Sequence, residues 1–476
     1  MTTSTRRNHH KIAGNFRGGL GWTAMLCAAC FGVITGRPVE CAEREGKVVD
    51  ASVATDWPQF RGPTGQGLVH TSPDDLPLSW SESENVVWKI AVPGKGWSSP
   101  VIQGNDLWLT TATQTGRSLR AICFDLKTGK IRVSTDSLFH VDPETKGLAK
   151  AGNAAPTPIL ANDRVFVHFG THGTACLDRD GKVLWKRVIP YYHHHGPGSS
   201  PVLAGDVLII VCDGFTGPFF DKVERPGIEA DQFVIGLDAA TGDIRWKTPR
   251  DGKHSYATPL LVEIEGERQV VCPGGDGVWA YDPETGTELW SYRFVGHSNV
   301  PRPVAGNGHI FVCTGYNQAS LLAIREGVTG DAGDNDISWK LSQGVPFVSS
   351  PILVDDFLYL VTDDGILTCV NSNTGKPVWK HRFGGQFSAS PIAAGKRLYF
   401  CGEDGVTYVV RAGSVYRQLA ENQLPGKLLA SPAVSGNRIY LRTEGHLYCI
   451  GNDGTPPTDV GPAGTVRLTG AEKLSK

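Results

Sequence analysis

Apolar residues along this chain come in short alternating runs, each closed by a polar turn, and no stretch keeps a helical stripe. Two segments show the pattern: "SPILVDDFLYLVTDDG" (350–365) and "SPIAAGKRLYFCGEDG" (390–405). In each, a small residue and a proline precede a brief apolar run, a turn follows, and a second run ends at Asp-Gly. A third run and a terminal tryptophan often come next, as in "AYDPETGTELW" (280–290). Apolar alternation broken by Asp-Gly or Thr-Gly predicts antiparallel meander strands.

The small-residue–proline element recurs at Pro100, Pro158, Pro201, Pro259, Pro303, Pro351, Pro391 and Pro432. Four short strands repeating at roughly forty to sixty residues describe the blade of a propeller. The expected fold is therefore all-β: an eight-bladed β-propeller of four-stranded antiparallel blades. Trp185, Trp246, Trp290, Trp339 and Trp379 end the fourth strands of blades II to VI, where an indole can cover the gap between blades. Blades I and VII offer Val133 and Tyr416 near that place. Blade VIII ends at "LYCIG" (447–451) without a fourth strand, and "NVVWKI" (85–90), carrying Trp88, stands before the first repeat. Pairing this N-terminal strand with the last three closes the ring and leaves no free sheet edge.

The stretch "A-x-D-x-x-T-G-x-x-x-W", complete at 280–290, resembles the docking motif of the PQQ-like (pyrroloquinoline-quinone-type) propeller repeat, a relative of WD40/YVTN-like blades. "GLDAATGDIRW" (236–246), "CVNSNTGKPVW" (369–379) and "CFDLKTGKIRV" (123–133) are variants of it. The flanking "WPQFRGPTGQGL" (57–68) and "LRTEGHLYCIG" (441–451) resemble the ends of exported bacterial PQQ-like propellers likened to the outer-membrane protein assembly lipoprotein BamB. The resemblance implies the fold firmly. It leaves function open, because such blades serve dehydrogenases, sensors and scaffolds alike.

Composition changes the picture in two respects. Gly 58 and Pro 30 against Met 2 agree with many turns and few helices, and a net charge of −2 gives no footprint for nucleic acid. Arg6, Arg7 and Lys11 precede an uncharged stretch, 18–36, which predicts export to the periplasm or cell envelope. The segment 1–42 is a signal peptide or an anchor, cleaved, lipidated or retained, and 43–56 reads as a linker. The propeller is assigned to 57–451 and a tail to 452–476; a monomer is expected. Cys27, Cys30 and Cys41 lie in or beside the export segment. The other eight fall one per blade: Cys123, Cys176, Cys212, Cys272, Cys313, Cys369, Cys401 and Cys449. Cys123, Cys176 and Cys369 take the motif's small position, so buried free thiols are expected, though an even count in an exported chain leaves bridges between blades open.

In a meander blade, the loop leading in and the turn between the second and third strands share one face. "YYHHHGPGSSP" (191–201) is the lead-in of blade III, with His193, His194 and His195. Aligned on the prolines, His195, His254 and His297 stand at nearly one height on blades III, IV and V. Other lead-ins supply Lys95, Trp97, Asn153, Phe347, Gln386 with Phe387, and Lys427; the turns add His172, Asp213, Asp276, Asp363, Asp364, Glu403, Asp404 and Glu444. Two long inserts, 134–156 and 215–232, are expected on the same face. Three readings of this mouth stand. The first is a binding site for a cell-envelope protein or small ligand, with no cofactor. The second is a metal site through His195, His254 and His297. The third is a PQQ- and Ca-dependent quinoprotein dehydrogenase with Asp213 or Asp276 as base. No stretch reproduces that family's metal-ligand set or the cysteine pair beside its cofactor, no C-x-x-C-H haem site is present, and Asp-Gly turns are common for backbone reasons alone.

Overall fold

A computed structural model describes residues 56–69, 75–113, 115–141, 152–191, 195–214, 232–316, 318–452 and 458–459. All belong to one compact unit, Gly46–Lys476. His193, His194, the export segment, its three cysteines, most of the tail, 142–151 of the first insert and nearly all of the second lie outside the described residues. The described chain forms eight antiparallel sheets in sequence order, each with four meander strands. Blade I consists of Val101–Gln103, Asp106–Ala112, Ser118–Asp125 and Ile131–Ser134. The first strands of blades II to VII begin at Ile159, Val202, Leu260, Val304, Ile352 and Ile392. In blade VIII, Ala433–Ser435, Arg438–Arg442 and His446–Ile450 are joined by Val86–Ala91, which pairs antiparallel with the third strand. The ring thus closes through the N-terminal strand, as its pattern predicts.

The repeated small residue before each proline has a shared task on the axis. The backbone N–H of Ser99 donates to Thr157 Oγ1, and each such residue donates to the hydroxyl of the next blade, at 2.9–3.1 Å, through Ser200, Thr258, Ser350, Ser390, Ser431 and back to Ser99. Arg302 holds this position in blade V, where no hydroxyl is present for Thr258 to reach.

The docking motif also resolves into parts. The motif aspartate accepts hydrogen bonds from the turn behind it: Asp282 Oδ1 takes the Glu284 N–H at 2.9 Å and the Thr285 N–H at 2.8 Å. Its glycine turns with positive φ and lies flat beneath the indole of the preceding blade. A Cβ on Gly286 would come 2.3 Å from the Trp246 ring, and one on Gly242 would come 2.6 Å from Trp185. The indole N–H groups then donate across the gap, Trp185 to Ala239, Trp246 to Pro283, Trp339 to Ser372, Trp379 to Gly413 and Trp88 to Leu126. Trp290 departs from this, donating to Gln269 of its own blade; in blade V the segment after the third strand runs longer, and its Gly330–Asp331 pairs beside Trp290. The motif's first residue faces the indole across the strand pair, as Cys176 faces Trp185 and Cys369 faces Trp379, and must be small. All eight blade cysteines are buried and free, and burial pushes the Cys123 and Cys401 thiols up to about 12.

Val133 performs the docking in blade I, against Gly181. Tyr416 does not do so in blade VII: it stacks on His381 at 3.9 Å and meets Trp379 edge-on. Trp80 serves that blade instead, stacked on Tyr399, its backbone N–H bonded to Asn422 Oδ1 at 2.8 Å.

Candidate functional site

The lead-in loops and the turns between second and third strands are tied together on one face. Gly275 N–H donates to the Lys253 carbonyl in blade IV, Tyr316 N–H to His297 in blade V, Glu403 N–H to Gln386 in blade VII and Glu444 N–H to Lys427 in blade VIII. Acidic turn residues tighten these ties: Asp276 Oδ1 accepts the Lys253 N–H at 2.8 Å, and Asp363 Oδ1 accepts the Phe347 N–H at 3.0 Å. These carboxylates orient loops.

A cavity of about 830 Å³ opens on this face over blades III to VI, lined by His195, His254, Tyr256, His297, Tyr316 and Phe347, with Lys253, Ser298, Val300, Val348 and Asp363. The three histidines aligned in the sequence therefore meet in one wall. Tyr256 stands between two of them, its ring centroid 6.1 Å from His195 and 5.6 Å from His254. His297 and Phe347 flank Tyr316 at 5.8 and 5.3 Å. His254 is buried, with Nε2 hydrogen-bonded to Ser298 Oγ at 2.7 Å. Tyr316, by contrast, is 52 % exposed. Burial, reinforced by the Asp213 carboxylate, pushes the Tyr256 hydroxyl upward, so it stays protonated. The wall is an aromatic and imidazole surface, with an ammonium from Lys253 and a carboxylate from Asp363. Rings of this kind offer large apolar contact with a polar edge, the chemistry enriched where proteins are recognised.

The remaining candidates lie elsewhere. Asp213 is buried in an ion pair with Arg250, which also lies over the Trp279 ring at 4.9 Å; Arg293 covers the same indole at 4.7 Å. Burial raises the Asp213 carboxyl and the Arg250 guanidinium opposes that rise. Asn153 is buried, donating to Gly116 at 3.3 Å, and Trp97 donates its backbone N–H to Ala154. His172 sits in the 3-10 turn Gly170–His172 of blade II, where burial lowers its pKa. Lys95, Gln386 and Lys427 are exposed on other blades. Tyr256, Ser298 and Tyr316 escaped the sequence reading. Tyr256 had a usable signal, lying two residues from His254 in the same lead-in. Among the described residues no three His, Cys, Asp or Glu side chains are grouped to hold a metal ion, and no helix is long and apolar enough to cross a membrane.

The family model described as "Outer membrane protein assembly factor BamB" matches residues 59–216, 228–329 and 330–418. The outer membrane protein assembly factor BamB of Burkholderia pseudomallei is 23 % identical over 258 residues, covering 50 % of this chain and 58 % of the relative, so the match spans little more than half of that protein. Among solved structures, BamB from Moraxella catarrhalis superposes with a TM-score of 0.54 at 14 % identity, over 77 % of this chain and 99 % of that one. Quinohemoprotein alcohol dehydrogenase from Comamonas testosteroni gives 0.60 at 12 % identity, over 88 % and 83 %. At such identities the superpositions speak for the fold alone.

Proposed function

Since the chain belongs to the family of the outer membrane protein assembly factor BamB, we propose that it is an exported, non-catalytic binding or scaffold module of the cell envelope. Its protein partner is held at the mouth over blades III to VI. The observation that carries this reading is the wall of alternating imidazole and phenol rings, with Tyr316 half exposed at its rim. A rigid ring presenting exposed aromatic side chains suits recognition, where a few such anchors supply most of the binding energy.

Catalysis with a quinone and calcium, as the dehydrogenase neighbours suggest, finds no fitting donor set among the described residues. Asp213, the nominated base, is engaged by Arg250, and Asp276 holds a backbone N–H of its own lead-in loop. The eight described cysteines are buried singly in separate strands, so none of these can pair with another beside a cofactor. The test is recovery of envelope proteins on the immobilised full chain, compared with a Tyr316→Ala/Phe347→Ala double variant. The proposal expects a reproducible partner lost with the variant; equal recovery by both would contradict it. Titration with PQQ and Ca²⁺ is expected to produce no quinone absorbance at the mouth.

A further inference from the structure

The segment 57–69 does more than precede the first blade: it runs across the axis of the ring. Trp57 exchanges backbone hydrogen bonds with Ile102 of blade I, and Pro58 accepts from Leu160 of blade II. Gln66 Oε1 accepts from Ala305 of blade V at 2.7 Å, and Leu68–Val69 pairs parallel with Ala393–Ala394 of blade VII. Two arginines pin the crossing. Arg61 Nη2 donates to the Pro351 carbonyl of blade VI at 2.7 Å; Arg302 Nη1 donates back to Phe60 at 2.6 Å and its Nε to Pro259 at 2.9 Å. Arg61 is 0 % exposed and Arg302 1 %.

Buried guanidiniums ordinarily have a carboxylate partner, since an uncompensated charge in the interior is costly. These two have none among the described ion pairs: burial brings both down to about 9, and Arg302 adds repulsion to Arg61. Two of the three Arg61 nitrogens, Nε and Nη1, are buried without any hydrogen-bond acceptor. The buried Arg442 of blade VIII, equally without a carboxylate among the described ion pairs and also brought down to about 9, differs in hydrogen bonding, because its Nη1 is taken up by Ser98 and Thr110 oxygens. Orphaned buried donors are rare in folded proteins and point to a bound species, and beside two cations that species is an anion.

We propose that Arg61 and Arg302 form a site for one small inorganic anion of halide size on the axis of the ring. The anion compensates both guanidiniums and locks the N-terminal segment across the blades. The walls are close on the glycine side: a Cβ on Gly65 would already lie 2.5 Å from the Arg302 guanidinium, and one on Gly67 3.0 Å from Arg61 Nη2. Such walls admit a monatomic ion in preference to a phosphate. The site also explains why blade V abandons the hydroxyl that seven other blades keep: Arg302 exchanges one link of the axial hydrogen-bond ring for a cation.

The experiment is crystallisation of the full chain from bromide, with anomalous scattering collected at the bromine edge. A single strong peak within hydrogen-bonding reach of Arg61 Nε or Nη1 is expected, and density of a neutral water without anomalous signal would overturn the proposal. Thermal melting in chloride against gluconate at constant ionic strength provides a second readout, since an ion that binds only the folded state raises Tm with its concentration. A chloride-dependent rise is expected in the unaltered chain and not in Arg302→Thr, which restores the hydroxyl of the other blades while removing one cation. Identical melting of the unaltered chain in both salts would overturn the proposal. Because the bromide experiment uses the unaltered chain, it decides even where a variant fails to fold.

Discussion

The two halves of the mouth occupy the same positions in the repeat and are built differently. Over blades III to VI the lead-in loops and turns lift His195, Tyr256, His297, Tyr316 and Phe347 into the wall of one cavity. Over blades VII and VIII the corresponding loops turn their apolar residues inward. Phe387 is fully buried near Phe383 and Tyr408, Leu428 is fully buried, and Asn153 clamps the turn of blade I. Lys95, Gln386 and Lys427 remain exposed there, outside the cavity. The repeat fixes a position on the ring, and the residue placed there decides whether it serves packing or recognition.

Four perturbations separate frame from mouth. The largest effect is expected for Asp213→Ala, which leaves Arg250 charged and unpaired in the interior and should cost about 3–5 kcal/mol, measured by denaturant unfolding. Binding through the mouth should suffer only as far as unfolding does, because Asp213 lies behind the wall. Gly286→Val adds a side chain at φ +71 against the Trp246 ring, and Gly129→Val repeats the insult under Trp88 in the other half. Each should lower stability by roughly 2–4 kcal/mol, alike in both halves, by thermal or chemical unfolding. Tyr316→Ala with Phe347→Ala should leave stability nearly intact and weaken partner binding by about 1–3 kcal/mol in titration calorimetry; Lys95→Ala with Lys427→Ala should change neither.

The smallest effect expected to be measurable concerns pH. Burial lowers the His172 pKa below its ordinary 6.5. As pH falls through 6.5 the unfolded chain takes up the proton first, so folded stability declines toward the lower, folded-state pKa and is unaffected above neutrality. The decline should be under about 1 kcal/mol, and His172→Gln should flatten the stability–pH curve over that window.

Much of the ring was legible because it is periodic. The prolines, Thr-Gly turns and terminal tryptophans repeat a local requirement, and a missing fourth strand in blade VIII has one evident donor in 85–90. The alignment of His195, His254 and His297 followed from the same counting. What escaped was singular. The crossing of the axis by 57–69 depends on contacts such as Gln66 with Ala305, more than two hundred residues apart in sequence. The replacement of Tyr416 by Trp80 depends on a segment before the first repeat reaching the seventh blade. Tyr256 and Tyr316 escaped because no repeat position demands an aromatic there; only the neighbouring histidines give them a role.

The most direct test places a photo-crosslinking amino acid, one site at a time, at His195, Tyr316 and Phe347 and at Lys95, Gln386 and Lys427, in living cells. The account predicts that the partner is captured from the first three positions and not from the second three. Capture from Lys95, Gln386 or Lys427 with none from the histidine-bearing side would contradict it.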